Sequence, residues 1–187
     1  MIKAKKSLGQ NFLTDEMVLN KIIEAVSPKK GDHFFEIGAG KGALTELLSQ
    51  HINFLDSIEI DRSLIEKLKE LESKFSNLKI HEGNILKTEL KALIQGKSKF
   101  RIIGNLPYNI STKILLWTFS NSEHVLDAHY MLQREFGERL ISPPGNKAYG
   151  RISVLTQYLF ECEGLFKISP SSFVPRPSVE SILIKLK

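Results

Sequence analysis

The residues best suited to chemistry are Asn105, Leu106, Pro107 and Tyr108, which follow a short apolar run that predicts a buried strand. The Asn105 amide oxygen and the Leu106 carbonyl can accept the two protons of an exocyclic amine. Pro107 holds that carbonyl rigidly because its own φ angle is fixed, and the Tyr108 ring can stack on a planar base. Ser111 is placed to cap the following helix. The segment suits an amine-bearing base, although a turn with a packed tyrosine explains the four residues equally well.

A glycine-rich turn lies earlier, after a strand predicted over residues 33–37. Gly38, Gly40 and Ala43 fit the pattern G-x-G-x-x-A, in which glycines let a ligand touch the backbone and a helix N-terminus offers free N–H groups. No Lys-Ser or Lys-Thr pair follows, so the turn is not a P-loop. Glu59 ends the next strand roughly 20 residues later, where an acid is expected to bind a ribose. The pattern alone also admits a nicotinamide or flavin nucleotide.

Length and composition exclude several classes of protein. The chain has 187 residues, with 42% hydrophobic and 25% charged, which is ordinary for one soluble domain. No apolar run reaches the roughly 18 residues of a membrane span, and no signal peptide is recognisable. One cysteine and scattered histidines predict neither a disulfide nor a metal site. We therefore expect a cytoplasmic protein, and a net charge of +5 permits a nucleic-acid partner.

Strands and helices alternate along the chain, which predicts an α/β fold built on a parallel sheet with helices on both faces. Ligands of such sheets bind beyond the carboxyl ends of the strands, so Gly38, Glu59, Asn84 and Asn105 should line one crevice. Cys162 is expected to end the last helix. The predicted strands cover residues 33–37, 54–60, 78–82, 101–104, 127–133, 165–168 and 181–187, and the predicted helices cover residues 14–26, 44–48, 64–71, 88–94, 111–119, 134–139 and 151–162.

The chain resembles the ribosomal RNA adenine N6-dimethyltransferases that use S-adenosylmethionine. The resemblance rests on residues 6–13, 36–40, 59–61, 105–112, 147–151 and 173–181. It implies a Rossmann-like class I methyltransferase fold with a mostly parallel seven-stranded sheet. Leu106 and the segment 147–151 resemble the branch that dimethylates two adjacent adenines in the 3′-terminal hairpin loop of 16S rRNA during small-subunit biogenesis. The other branch, of the macrolide-resistance type, acts on 23S rRNA.

The resemblance also implies roles for individual residues. Phe173 would stack on the target base opposite Tyr108, completing the catalytic set with Asn105, Leu106 and Pro107. Asn84 stands where the family usually has Asp, which would make it a weaker, neutral acceptor for the cofactor's adenine. The cofactor would contact Gln10, Asn11, Leu13, Gly38, Gly40, Glu59, Ile60, Asn84, Ile85 and Asn105. RNA would contact Lys3, Lys5, Lys6, Arg134, Lys147, Arg151 and Arg176.

Other readings of the sequence stay open. Members of the family carry a small helical domain after the last strand, so residues 1–187 are expected to be the catalytic domain alone, acting as a monomer on 16S rRNA in the small subunit or its precursor. A dinucleotide-dependent oxidoreductase has only the glycine turn in its favour. A factor that binds small-subunit precursors without needing catalysis also fits the sequence.

Overall fold

The computed structural model describes residues 4–90 and 99–187, and its largest element is a seven-stranded sheet. The strands are β1 (Phe12–Leu13), β2 (His33–Ile37), β3 (Phe54–Glu59), β4 (Leu78–Glu82), β5 (Phe100–Asn105), β6 (Val125–Gln133), β7 (Cys162–Ile168), β8 (Phe173–Val174) and β9 (Ser181–Leu186). The strand order in the large sheet is β4-β3-β2-β5-β6-β9-β7, and only β9 runs against its neighbours. A separate antiparallel pair joins β1 to β8.

Helices cover both faces of the large sheet. They are α1 (Glu16–Val26), α2 (Ala43–Ser49), α3 (Arg62–Lys74), α4 (Ser111–Ser120), α5 (Arg134–Ile141) and α6 (Arg151–Leu159). Leu64 of α3 packs in one core cluster and Ile114 of α4 in the other. Neighbouring residues of a strand point to opposite faces, so Phe34 joins the first cluster and Phe35 the second. The predicted α/β class and mostly parallel sheet are confirmed.

Two sequence predictions are wrong, and a third concerns residues that the structure largely does not describe. Cys162 does not end a helix but begins β7, because the chain has already entered the sheet at Glu161, which exchanges backbone hydrogen bonds with Lys187. Ser111 is the first residue of α4 and not its cap, and its hydroxyl donates to the Pro107 carbonyl at 3.0 Å. The helix predicted over residues 88–94 lies largely outside the described residues.

The edge formed by the carboxyl ends of β2 to β5 holds the residues predicted for the site. The sheet needs Gly104 there, because a Cβ atom at this position would lie 2.7 Å from the Ile37 carbonyl oxygen. Asp61 begins α3 directly after β3 by accepting a hydrogen bond from the Ser63 N–H at 3.0 Å. Among the described helices, none is both long and apolar enough to cross a membrane.

Candidate active site

A cavity that is open to solvent lies at the carboxyl ends of β2 to β5. Its wall is mostly apolar, with Phe12, Ile58 and Met131 among the lining residues. Every residue predicted to contact the cofactor lines this cavity. These residues are Gln10, Asn11, Leu13, Gly38, Gly40, Glu59, Ile60, Asn84, Ile85 and Asn105.

The glycine turn between β2 and α2 forms one wall of the cavity. Gly38 and Gly40 have φ angles of 79° and 57°, in the left-handed region that favours glycine. A Cβ atom on Gly40 would come within 3.1 Å of the Phe12 ring. The turn therefore requires glycine both for its backbone conformation and for its close contact with the neighbouring aromatic ring.

Glu59 ends β3 with its carboxylate directed at backbone donors. One oxygen, Oε2, accepts from the Gly40 N–H at 2.9 Å, and the other, Oε1, accepts from the N–H groups of Ile60 and Asp61 at 2.8 Å each. Burial still raises the pKa of Glu59, because desolvation outweighs these hydrogen bonds. A carboxylate oxygen offers about two acceptor sites, so Oε2 can accept one more hydrogen bond, such as one from a ribose hydroxyl.

Asn84 lines the cavity, but its amide oxygen already has a partner. That oxygen accepts from the Leu86 N–H at 3.0 Å and so caps the short 3-10 turn Ile85–Lys87. The family resemblance implies that the same oxygen accepts a hydrogen bond from the cofactor's adenine amine. In the structure, any such contact shares the oxygen with the cap.

Asn105 ends β5, and its side-chain nitrogen Nδ2 donates to the backbone carbonyl of Asn11 at 2.7 Å. The amide oxygen Oδ1 is therefore the atom left to accept a proton from a ligand, as the residue type had predicted. The neighbouring Leu106 is buried and its N–H donates to the Met131 carbonyl at 3.2 Å, which anchors the turn to β6. Pro107 lines the cavity beside them.

The two aromatic residues predicted to sandwich a base differ in exposure. Tyr108 is half-buried, its hydroxyl lies 2.8 Å from the Ser181 hydroxyl, and burial raises its pKa. Phe173 is only 2% exposed and belongs to the core cluster of Leu13 and Leu19. The pairing of β8 with β1 carries the Phe173 ring into this core. Stacking on a base would require that ring to be uncovered.

The stretch from Lys5 to Leu13, here called the N-terminal segment, runs along the cavity and is held by Asp61. Gln10 Nε2 donates to Asp61 Oδ2 at 2.8 Å, and the Lys5 ammonium lies 2.5 Å from Asp61 Oδ1. The Lys5 N–H also donates to Gln10 Oε1 at 2.8 Å. These contacts hold the pKa of the buried Asp61 carboxyl below its usual range. This role of Asp61 was not predicted, since Asp61 entered the sequence argument only as part of residues 59–61, which carry the family resemblance.

Glu36 is a second acidic residue at the cavity that the sequence analysis did not single out. It is 2% exposed, and one of its carboxylate oxygens accepts from the Thr45 and Ser57 hydroxyls at 2.6 and 2.7 Å. Desolvation raises the pKa of Glu36 to about 7, and the nearby Glu59 charge adds to that increase. The position of Glu36 next to the glycine turn could have marked it as a cavity residue. Its hydroxyl partners could not be predicted, because Thr45 lies in α2 and Ser57 in β3.

The residues predicted to contact RNA fall into distinct groups. Lys3 lies outside the described residues, and the side chain of Lys6 is not described. Arg134 is half-exposed and pairs with Glu138 and Glu180 at 2.7 and 2.8 Å, while Lys5 is bound to Asp61. Three of the predicted RNA contacts are exposed and have no ion pair within the described part of the chain: Lys147, Arg151 and Arg176.

Comparison with known proteins identifies the family. The family model for ribosomal RNA adenine dimethylase matches residues 1–187. Ribosomal RNA small subunit methyltransferase A of Francisella tularensis subsp. novicida is 44% identical over 186 residues, covering 99% of this chain and 71% of that protein.

Two solved structures have the same fold as this chain. A dimethyladenosine transferase from Plasmodium falciparum has a TM-score of 0.81 and 31% identity over 94% of this chain, which spans 62% of that protein. The 23S rRNA methyltransferase ErmE has a TM-score of 0.83 and 28% identity, covering 95% of this chain and 69% of that one. The chain is therefore a class I methyltransferase that belongs to the ribosomal RNA adenine dimethylase family.

Proposed function

We propose that this protein transfers methyl groups from S-adenosylmethionine to N6 of two adjacent adenines in the 3′-terminal hairpin loop of 16S rRNA, during assembly of the small ribosomal subunit. Each adenine would receive two methyl groups. The observation that carries the proposal is the meeting of Gly38, Glu59 and Asn105 in one cavity, with an amide oxygen free to accept beside the glycine turn. The named relative from Francisella supports the choice of the small-subunit RNA.

The residues present fit S-adenosylmethionine. The mostly apolar wall suits an adenine ring, and the remaining acceptor site of Glu59 suits a ribose hydroxyl. The Glu59 carboxylate in the cavity wall favours a cationic ligand over an anionic one. When bound, S-adenosylmethionine supplies an electrophilic methyl group on its sulfonium centre.

The chain's contribution to the chemistry is to hold the amine. The N6 nitrogen of adenine is a poor nucleophile because its lone pair is delocalised into the ring. In our proposal Asn105 Oδ1 and the Leu106 carbonyl accept its two protons in the first transfer, and one of them accepts the remaining proton in the second. These hydrogen bonds favour a tetrahedral nitrogen and direct the lone pair out of the ring plane. These acceptors also stabilise the positive charge that develops on nitrogen. Positioning therefore accounts for much of the catalysis. The methylated nitrogen is strongly acidic and gives up one proton to solvent after each transfer, so no strong general base is required.

The target adenine has to leave its stack to reach these acceptors. In our proposal the half-buried Tyr108 offers its ring to the base. Lys147, Arg151 and Arg176 are exposed cations that can contact phosphates of the surrounding RNA. We further propose that residues 1–187 act as the catalytic domain, as a monomer and in the cytoplasm.

The structural similarity to ErmE keeps 23S rRNA as a second candidate substrate. To separate the two, small and large ribosomal subunits from cells lacking this protein are incubated with the purified chain and labelled S-adenosylmethionine. We expect N6,N6-dimethyladenosine in 16S rRNA only. Label in 23S rRNA alone would replace the proposed substrate with the second one.

Matched variants test whether Asn105 in the cavity is needed for methyl transfer. Asn105→Ala should abolish transfer while keeping calorimetric binding of S-adenosylmethionine, and NADH should not bind either protein. Asn77→Ala is the control, since that amide also donates to backbone carbonyls, those of Ser49 and Ile52, far from the cavity. Equal activity of the two variants would contradict the assignment of Asn105.

A further inference from the structure

We infer that Gln10 is a positioning residue that keeps the amide oxygen of Asn105 turned toward the target amine, acting through the backbone carbonyl of Asn11. The inference rests on the proposed function, because it assigns a device that sets which base the proposed site accepts. It concerns the N-terminal segment, whose hydrogen bonds connect Asp61 at one side of the cavity with Asn105 at the other.

An asparagine side chain can face a ligand in two ways, and only one of them suits an amine. The oxygen accepts hydrogen bonds and the nitrogen donates them, while the two groups have nearly the same shape. With the nitrogen turned inward, Asn105 would present protons to the protons of N6 and repel the adenine. A neighbouring group that is fixed in place must therefore determine the orientation of the Asn105 amide.

The Asn11 carbonyl makes that choice. A carbonyl oxygen can only accept, so at 2.7 Å from Nδ2 it tolerates the nitrogen of the Asn105 amide and excludes the oxygen. The bonded nitrogen then points along the N-terminal segment, and Oδ1 is the acceptor offered to a ligand. The same orientation disfavours bases with a carbonyl at position 6, which have no amine to donate.

The Asn11 carbonyl can select the orientation only if it is itself held in place. On its carboxyl side, β1 pairs with β8, with Leu13 opposite Phe173. On its amino side, Gln10 donates to Asp61 at 2.8 Å and accepts from the Lys5 N–H at 2.8 Å. Asp61 is 1% exposed and fixed at the start of α3, so it is a rigid anchor.

Gln10 is the residue to substitute in a test of this inference, because its anchor Asp61 also has a structural role in α3. Asp61 also caps α3 through Ser63, so its loss would disturb a helix. Both polar ends of Gln10 are used within the N-terminal segment and on Asp61. Gln10→Ala therefore releases the amino side of Asn11 and leaves α3 capped.

The first test observes the Asn105 amide directly, without any reaction. The full chain is labelled with nitrogen-15, and the Asn105 side-chain signals are assigned by their loss in Asn105→Asp. In the unchanged protein we expect one Nδ2 proton that exchanges slowly with water, because it is bonded to Asn11. In Gln10→Ala we expect exchange of that proton to be at least tenfold faster, while Asn77→Ala leaves it unchanged. An equally protected proton in Gln10→Ala would overturn the inference.

The second test measures transfer in a single turnover at saturating S-adenosylmethionine with small subunits as substrate. Gln10→Ala should lower the rate constant about tenfold, which is less than the roughly 10²–10³-fold typical of deleting a positioned hydrogen-bonding group. Asn77→Ala should stay within twofold. A faster-exchanging amide with an unchanged rate constant would overturn the inference, and so would an effect confined to affinity for the subunit.

The two tests separate this inference from the proposed function. If the unchanged protein methylates no ribosomal RNA, the proposed function fails, and the amide exchange still decides whether Gln10 orients Asn105. If the unchanged protein is active but Gln10→Ala leaves the amide protected, the proposed function stands and the role of Gln10 is wrong.

Discussion

Glu36 and Glu59 show how single acidic residues are accommodated at one cavity. Glu59 is surrounded by three backbone N–H donors, whereas Glu36 has two hydroxyl donors on one oxygen and is more deeply buried. The difference appears in their pKa values, since that of Glu36 is raised to about 7. Hydroxyl donors compensate only part of the desolvation cost of a carboxylate.

The raised pKa of Glu36 predicts a pH effect on stability. Below its ordinary value of 4.5 the group is protonated in folded and unfolded chains alike. As the pH rises toward about 7 the unfolded chain releases this proton first, so the contribution of Glu36 to stability is lost over that window. Glu36→Gln, which keeps an acceptor for Thr45 and Ser57, should add up to about 3 kcal/mol at pH 8 and nothing at pH 4.

Denaturant unfolding of both proteins from pH 4 to pH 8 checks this prediction. The difference between their free energies of unfolding should grow steadily with pH up to about 7. The same variant of the exposed Glu46 on α2, Glu46→Gln, is the control and should show no such trend. A constant difference across the range would mean that Glu36 has the same pKa in the folded and the unfolded chain, and that burial does not raise it.

Asn84 both caps a turn and lines the cavity. Its amide oxygen caps the turn after β4 through the Leu86 N–H. Asn84→Asp should keep this cap, because Asp and Asn are both good caps, and it adds a charged acceptor at the cavity. We expect equal or tighter binding of S-adenosylmethionine by calorimetry and an equal or higher Tm. Clearly weaker binding would show that the cavity is adapted to the amide.

Residue types alone indicated much of this site. The strand-end residues Gly38, Glu59, Asn84 and Asn105 were predicted to share a crevice and do line one cavity. What the sequence could not provide is the partner that holds the Asn105 amide nitrogen and leaves the predicted oxygen free, because Asn11 is 94 positions away. Contacts between distant side chains leave no periodic signal in a sequence.

At the scale of elements, the pairing of β1 with β8 determines how the N-terminal segment meets the rest of the chain. Each strand has two residues, and the Thr14 N–H adds a bond to the Ser172 carbonyl at 2.9 Å. The strands and helices of the main sheet were predictable, because each repeats its apolar residues over several turns or alternations. Two-residue strands are too short for any alternation, so the burial of Phe173 was not foreseen.

The position of Phe173 in the core predicts a large loss of stability on truncation. Phe173→Ala removes a ring that is 2% exposed, and such changes typically cost about 3–5 kcal/mol. The neighbouring Val174 is 53% exposed, so Val174→Ala is the matched control and should change little. Thermal unfolding compares the two. A Phe173→Ala variant with normal Tm but no methyl transfer would instead support the stacking role on the target base.

At the scale of the whole molecule, the positive charges are not equally available. Arg134 is held between Glu138 and Glu180, while Arg151 at the start of α6 is exposed and has no ion pair among the described residues. A net charge of +5 alone did not distinguish them, because ion pairing depends on which helices and loops lie side by side. The sequence predicted which basic residues contact RNA, but not which of them are already paired with acidic side chains.

This difference predicts unequal effects on RNA binding. Arg151→Ala should weaken binding to the small subunit and reduce the slope of log affinity against log salt by roughly 0.7–0.9 if one phosphate contact is lost. Arg134→Ala should change that slope less, since its charge is already paired. Lys74→Ala, at the end of α3, is the exposed control and should leave the slope unchanged. Equal slopes for all three variants would argue against a phosphate-binding role for Arg151.

The claim that this chain dimethylates adenine in small-subunit RNA is tested most directly by mass analysis of 16S rRNA from cells that lack the protein. The same cells are complemented with the unchanged protein or with Asn105→Ala, at equal expression levels. We predict that two adjacent N6,N6-dimethyladenosines are absent without the protein, return with the unchanged chain and stay absent with Asn105→Ala. Full dimethylation of 16S rRNA in cells lacking the protein, or its return with Asn105→Ala, would contradict the account.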